Sequence, residues 1–572
     1  MGLLLAACAA PDRGDGSASG TAPAPVRPLP SAESTAEPAQ PPAPGTASDA
    51  GAMLQFLQIQ PPMAGSGKLE EPLTGTCCPG RWRQAGEPLD RENYGPIVTN
   101  PLRLAAEQPV STFGIDVDTG AYSNVRRMLN AGRLPPADAV RVEELINYFD
   151  YDYPVPPADG PPFSVSTELA AAPWNPDRLL LQIGIRGRPV PNSERKAANL
   201  VFLVDVSGSM DSAAKLPLLK RALALLTRQL SAADRVSLVV YAGAAGVVLE
   251  PTPGDRHARI TAALERLTAG GSTNGAGGIR TAYAMARQAF LPDGINRILL
   301  ATDGDFNVGT VDFDSLVDLV KRERADGISL TTLGFGSGNY NDHLMEQLAD
   351  AGDGNHAYID RLSEARKVLV EQLTGTLQTI ARDVKIQVEF NPAVVAEYRL
   401  IGYENRILRR EDFNNDRVDA GEIGAGHTVT ALYELSLVGS PARLIDPLRY
   451  APGQRSGRAA AELAFLRLRY KPPAGGGSRL LERAVPAPRG ALPPASDRLR
   501  FAAAVAAFGQ LLRGGEYLGE FGYGDVVTLA AAARGSDPHD DRGEFLGLVR
   551  LAESLGPASA RPASADSGRP GS

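Results

Sequence analysis

Cysteine is nearly missing from this chain. Its three copies, Cys8, Cys77 and Cys78, fall within the first 78 of 572 residues. Nothing after them depends on a disulfide or binds zinc through thiolates. Cys77 and Cys78 sit in Gly/Pro-rich sequence and read as plain thiols rather than a redox pair. Histidine is also scarce, with only His257, His343, His356, His427 and His539. No stretch approaches the ~18 apolar residues of a spanning helix, which excludes a helix-built channel or pore. The formal charge is -8 and no basic stripe stands out, so nucleic acid is not an expected partner. Hydrophobic residues at 43% and charged residues at 22% are ordinary globular usage. The length leaves room for several domains of about 150 residues each.

Leu5-Ala6-Ala7-Cys8 matches the bacterial lipobox, in which the cysteine becomes the lipidated N-terminus. Only seven residues precede Cys8, fewer than a secretory leader needs, so the true start is expected upstream. Residues 9–105 are rich in Pro, Ala, Gly and Ser and read as a disordered linker. Residues 556–572 read as a similar tail. The expected setting is the cell envelope: the outer membrane, on its periplasmic side or surface, with a lipid as the only membrane contact.

Order is expected from Ser111. Residues 106–196 form an extension of helices and then strands, the strands near Phe163–Leu169 and Leu179–Ile185. In it, Asp118 or Thr119 caps a first helix, and Asp116 reads as an outward-facing carboxylate. From residue 197 to 381 the pattern changes. Leu200–Val204, Val236–Tyr241, Ile298–Ala301 and Ile328–Leu333 are short, continuous apolar runs, as strands of a parallel sheet covered on both faces read. Helical stripes lie between them, including one predicted over Arg361–Ile380. This is a doubly wound, mainly parallel α/β domain. Residues 382–480 are strand-rich again, and 481–555 are helical, with Ser496 as a helix cap and Gly535 as a helix end. The two strand-rich blocks are expected to pair into one β-sandwich with the α/β domain inserted between them.

Three segments of the α/β unit converge on one edge. Val201-Phe-Leu-Val-Asp205-Val-Ser207-Gly-Ser209 is a buried strand running into a hydroxyl-bearing loop. Ile298-Leu-Leu-Ala-Thr-Asp303-Gly304 is a second strand ending in aspartate, and Gly270-Gly-Ser-Thr273-Asn274 is a Gly-rich loop before a helix. The carboxyl edge of such a sheet is where ligands bind. Asp205, Ser207, Ser209, Thr273 and Asp303 offer only hard oxygens. That suits Mg²⁺ and, less well, Mn²⁺ or Ca²⁺.

Here the chain resembles von Willebrand factor type A (VWA) domains, whose metal-ion-dependent adhesion site these five residues match. The resemblance implies that Ser207, Ser209 and Thr273 bind the metal directly and that Asp205 and Asp303 act mostly through water. It further implies an open coordination position, filled by an acidic side chain of a protein partner. Neither catalysis nor a small-molecule substrate is expected. A Mg²⁺-dependent hydrolase is the enzymatic alternative; it lacks a second carboxylate two residues after Asp205, where Ser207 stands. A structural envelope protein, its metal only stabilising the fold, is the other alternative.

The likeness extends beyond the VWA unit. Ser111-Thr-Phe-Gly-Ile-Asp-Val-Asp-Thr119, Arg141-Val-Glu-Glu-Leu-Ile-Asn-Tyr-Phe-Asp150, Ala301-Thr-Asp-Gly-Asp-Phe-Asn-Val-Gly309 and Glu422-Ile-Gly-Ala-Gly-His-Thr-Val-Thr-Ala-Leu-Tyr-Glu434 resemble a bacterial lipoprotein family. In it a VWA domain is flanked by an N-terminal extension and a C-terminal domain of unknown function. Two acidic features remain. Asp412–Glu422 is dense in oxygen ligands but has Arg417 where a calcium loop needs glycine, so it reads as a solvated turn. Asp305 and Asn307 stand where they could line the metal site's rim.

Overall fold

The apolar runs of the α/β unit become the middle of a six-stranded sheet. Its order is His356–Ile359, Ser329–Phe335, Ile295–Thr302, Ala198–Asp205, Arg235–Tyr241 and Ala245–Pro253. All neighbours are parallel except the last pair. Leu200, Phe202 and Val204 face one core, shared with the helix Leu216–Thr227. Val201 and Leu203 face the other, shared with the helix Gly275–Gln288. Coverage of both faces explains why this strand lacks polar alternation. The edge strands Ala245–Pro253 and His356–Ile359 carry no such run.

This computed structural model describes residues 92–273, 275–304, 313–446, 461–473 and 475–556. Cys8, Cys77, Cys78, Asn274, Asp305, Asn307 and the tail after 556 lie outside the described residues. Among those described, no helix is long and apolar enough to cross a membrane.

Strands from before and after the α/β unit share two sheets. One runs Arg103–Leu104, Val395–Ile401, Thr428–Leu437, Asn175–Gly187, Phe163–Ala172. In the other, Thr379–Phe390 pairs with Val110–Gly114, Ile423–Gly424 and Glu462–Lys471, and Arg479–Pro486 follows. Phe113, Leu181, Ile386, Tyr433 and Leu466 belong to one core between them. The outer face of the first sheet is covered by helices. Leu180 and Leu432 there join Phe149 and, from the helices Asp497–Leu512 and Asp541–Leu555, Phe501, Phe508 and Phe545. Ser496 caps the first of these helices, accepting from the Leu499 amide.

Four expectations are corrected. The linker does not reach residue 105: Asn93 bridges Asn341, and Arg103–Leu104 pairs with Val395–Ile401. Asp116 is not outward-facing, and Asp118 does not cap. Both are buried, Arg406 bonds Asp116 at 3.2 Å, and Asp118 accepts from the His356 amide. Arg361–Ile380 is not one helix. Leu362–Arg366 is α-helical, Lys367–Glu371 is a π-turn, Leu373–Leu377 is a last short helix, and a strand begins at Thr379. Tertiary packing overrides the helical pattern there: the Gln378 carbonyl accepts from Ala425, and Gly375 lies so close to His427 that a Cβ would come within 2.4 Å of its ring. Finally, the acidic turn is clamped rather than simply solvated. Asp416 binds Arg469 at 2.9 Å, and Asp419 pairs with Arg324.

The extension is bolted to the VWA unit by buried charge. Arg126 is fully buried and reaches Asp360 at 2.5 Å, Glu364 at 2.8 Å and Glu544 at 3.3 Å. Arg141 reaches Asp342 at 2.6 Å and Glu346 at 2.5 Å. Removing one partner strands the others without compensation. Arg126→Met is therefore expected to cost about 3–5 kcal/mol in denaturant unfolding; a loss below about 1 kcal/mol would mark the network as incidental. Burial and nearby Arg297 push His427 down to about 4 from 6.5, and its Nδ1 has no hydrogen-bond partner. The unfolded chain therefore binds this proton first. Stability is expected to fall by about 3 kcal/mol as pH drops through that window, and by less in His427→Gln.

Candidate metal centre

Asp205 closes the central strand and is fully buried. Its Oδ1 accepts from the Ser207 amide at 2.9 Å, which turns the chain sharply out of the sheet. Its Oδ2 accepts from the Thr302 hydroxyl at 2.8 Å. The turn places the Ser207 and Ser209 hydroxyl oxygens 3.1 Å apart. Met210, fully buried, anchors the short 3-10 turn Gly208–Asp211. The Gly-rich loop docks on this turn through two backbone bonds: Gly208 donates to Gly271 at 3.1 Å, and Gly270 donates to Val206 at 2.8 Å. Half-buried Thr273 follows on the same loop. Asp303 ends the adjacent strand. Gly304 after it adopts φ +81 and lies so close to the Asn341 amide that a Cβ would come within 2.3 Å.

Asp205, Ser207, Ser209 and Asp303 are thus brought together by direct bonds, with Ser209 donating to Asp303. Thr273 is brought near by its backbone. Three participants escaped the sequence reading: Thr302, Lys215 and Asn339. Lys215 Nζ donates to Asp303 Oδ2 at 2.8 Å and to Asn339 Oδ1 at 2.9 Å. Asn339 Nδ2 donates to the same Asp303 oxygen at 3.0 Å. A lysine just before a helix reads as solvated surface. Its one signal is its place, six residues after Ser209.

The two carboxylates differ in character. Burial pushes Asp205 up to about 6, and Asp303's charge adds to this against the bonds from Ser207 and Thr302. Burial also works against ionised Asp303. There it is outweighed by the bonds from Lys215 and Ser209 and by the Lys215 charge, which hold Asp303 below the usual carboxylate range. The donor set fits a small hard cation. Bonds of about 2.1 Å at right angles place adjacent ligands about 3.0 Å apart, close to the 3.1 Å between the two serine oxygens.

Family models match the chain in three places. "Von Willebrand factor" covers residues 88–182, "von Willebrand factor type A domain" covers 199–373, and "Uncharacterized protein YfbK, C-terminal" covers 375–555. Uncharacterized protein YfbK of Escherichia coli (strain K12) is 48% identical over 471 residues, 81% of either chain. Uncharacterized protein sll0103 of Synechocystis is 31% identical over 185 residues, 32% of this chain and 43% of its own. Among solved structures, von Willebrand factor type A from Catenulispora acidiphila aligns with a TM-score of 0.41 at 16% identity. That alignment covers 68% of this chain and 90% of its own.

A carboxylate whose pKa is raised by the fold opposes folding once ionised. The cost is absent below pH 3.8, grows toward about 6 and is complete above that. In metal-free protein, Asp205→Asn is therefore expected to be more stable than wild type at pH 8, by about 2 kcal/mol. The gap should close as pH falls toward 4. A variant less stable than wild type at pH 8 would show that the Asp205 hydrogen bonds outweigh its desolvation.

Proposed function

We propose, from the premise that the chain belongs to the YfbK family of von Willebrand factor type A proteins, that it is a binding protein whose site is the Asp205–Ser207–Ser209–Thr273–Asp303 cluster loaded with Mg²⁺ (or Mn²⁺ or Ca²⁺). The observation that carries this is the pairing of closely spaced neutral hydroxyls with two carboxylates of unlike character. Ser207 and Ser209, with Thr273 beside them, supply neutral oxygens. Such ligands leave a bound cation electrophilic, and it can then accept a carboxylate from a partner. Asp205, fixed by Thr302 and the Ser207 amide, shapes the loop. Asp303, fixed by Lys215 and Asn339, orients the Ser209 side.

The partner is a protein that offers an Asp or Glu side chain. Binding rather than catalysis is favoured because no histidine base stands against the serines. Among the described residues no histidine bonds Ser207 or Ser209; His356 bonds Thr332 and Tyr340, and His257 bonds the Leu230 carbonyl. The proposed setting is the cell envelope, with Cys8 lipidated and the segment from there to residue 91 as tether.

Calorimetric titration of Mg²⁺ into wild type and Asp205→Ala tests the site. Saturable one-site binding is expected in wild type and loss of at least about tenfold in affinity in the variant, the scale of losing a group that acts on the metal from its outer shell. Capture of an envelope protein should then need Mg²⁺ and stop with a chelator. Equal capture with the chelator present would overturn the reading. Mg²⁺-dependent turnover of a phosphate ester that Asp205→Ala abolishes would replace it with the hydrolase.

A further inference from the structure

Lys215 does not behave as a surface lysine. It is 6% exposed, and its side chain lies flat against Gly336, at the end of the strand Ser329–Phe335. Gly336 adopts φ +78, and a Cβ there would come within 2.3 Å of the lysine's Cγ and Cε. Only glycine leaves this channel open. At the channel's end Nζ is fixed between Asp303 Oδ2 and Asn339 Oδ1, at 2.8 and 2.9 Å. Asn339 closes the triangle by donating to the same Asp303 oxygen. Stem and head are both held, and the ammonium stands inside the candidate metal centre.

We propose that Lys215 sets the charge of the site, weakening its grip on the metal and strengthening the loaded site's grip on an acidic partner. This rests on the metal reading above. With both carboxylates ionised, Asp205, Asp303 and Lys215 sum to -1. A divalent cation brings the site to +1, and one carboxylate from a partner brings it to neutrality. Without Lys215 the same sums are -2, 0 and -1. The bare site would then attract cations more strongly, and the loaded site would have no residual positive charge for the partner. At these separations, in partly desolvated surroundings, a unit charge matters far more than in water. The lysine also occupies Asp303 Oδ2, restraining that carboxylate from becoming a full anionic ligand itself. The site therefore trades metal affinity for electrophilicity.

The test uses the full chain, Mg²⁺ alone as the first probe and sodium acetate as the carboxylate probe. Lys215→Met keeps the stem's volume and removes the charge. Calorimetry is expected to give Mg²⁺ binding at least about tenfold tighter in the variant, the direction that loss of a neighbouring positive charge dictates. Excess acetate should raise Mg²⁺ affinity in wild type and raise it less in the variant. Because metal-free Lys215→Met leaves Asp303 with less compensation, Mg²⁺ should raise its melting temperature more than it raises that of wild type. This second readout applies even if the variant's fold is weakened. Equal Mg²⁺ affinity and equal acetate response in the two proteins would overturn the role of Lys215 and leave the metal site standing. Binding by the variant alone would support it in its strongest form, a lysine that outcompetes the metal. Binding by neither protein would overturn the metal reading and this inference together.

Discussion

Everything in this molecule hangs on backbone pairing between segments far apart in sequence. Val110–Gly114 pairs with Thr379–Phe390, and Asn175–Gly187 pairs with Thr428–Leu437, so each sheet of the sandwich draws on both sides of the α/β unit. Neither flank can bury its apolar face alone. Phe113 and Ile185 find their core only against Ile386, Tyr433 and Leu466. The VWA unit must therefore start and finish at one end of the sandwich. That fixes where the strand Ala198–Asp205 begins and, through it, where Asp205 emerges at the opposite edge of the sheet. Closing so long a loop is costly in entropy, though the cost grows slowly with length. A fully buried two-sheet core offsets it.

Side-chain charge finishes what pairing begins. Arg126, Arg141 and Arg406 each gather carboxylates from separate parts of the chain, and all three draw on the inserted unit. Guanidinium suits this because its planar fork satisfies several oxygens at once and keeps its charge when desolvated. The candidate metal centre follows the opposite rule. There a single ammonium, Lys215, meets one carboxylate oxygen and one amide oxygen, and Ser207 and Ser209 set neutral hydroxyls beside them.

Much of this was legible in the residues. Continuous apolar runs located four of the six central strands because covered strands cannot hide their composition. The carboxyl ends of two of them marked Asp205 and Asp303. The insertion could be inferred from strand-rich blocks on either side. Long-range effects were not legible. Leu362–Leu377 carries a helical stripe, yet Gly375 must pass beneath His427 and the chain must reach Ile423–Gly424, so the helix breaks. Asp116 looks like a surface carboxylate and Asp118 like a helix cap until Arg406, some 290 residues on, is folded against them. Lys215 looked ordinary for the same reason: its partners Asp303 and Asn339 are 88 and 124 residues away.

The insertion also decides how the molecule carries mechanical load. Both exits of the VWA unit run into the sandwich, one through Asn175–Gly187 and the segment after it, the other directly into Thr379–Phe390. A pull between the edge that carries Asp205 and Asp303 and the segment around Arg103 is therefore shared by two connections rather than drawn through one. That segment is stitched in by the ladders of Arg103–Leu104 and Val110–Gly114. The two-residue ladder of Arg103–Leu104 is the shorter of these seams, so under tension the protein lengthens there before the seven-residue ladders that hold the Asp205 strand give way.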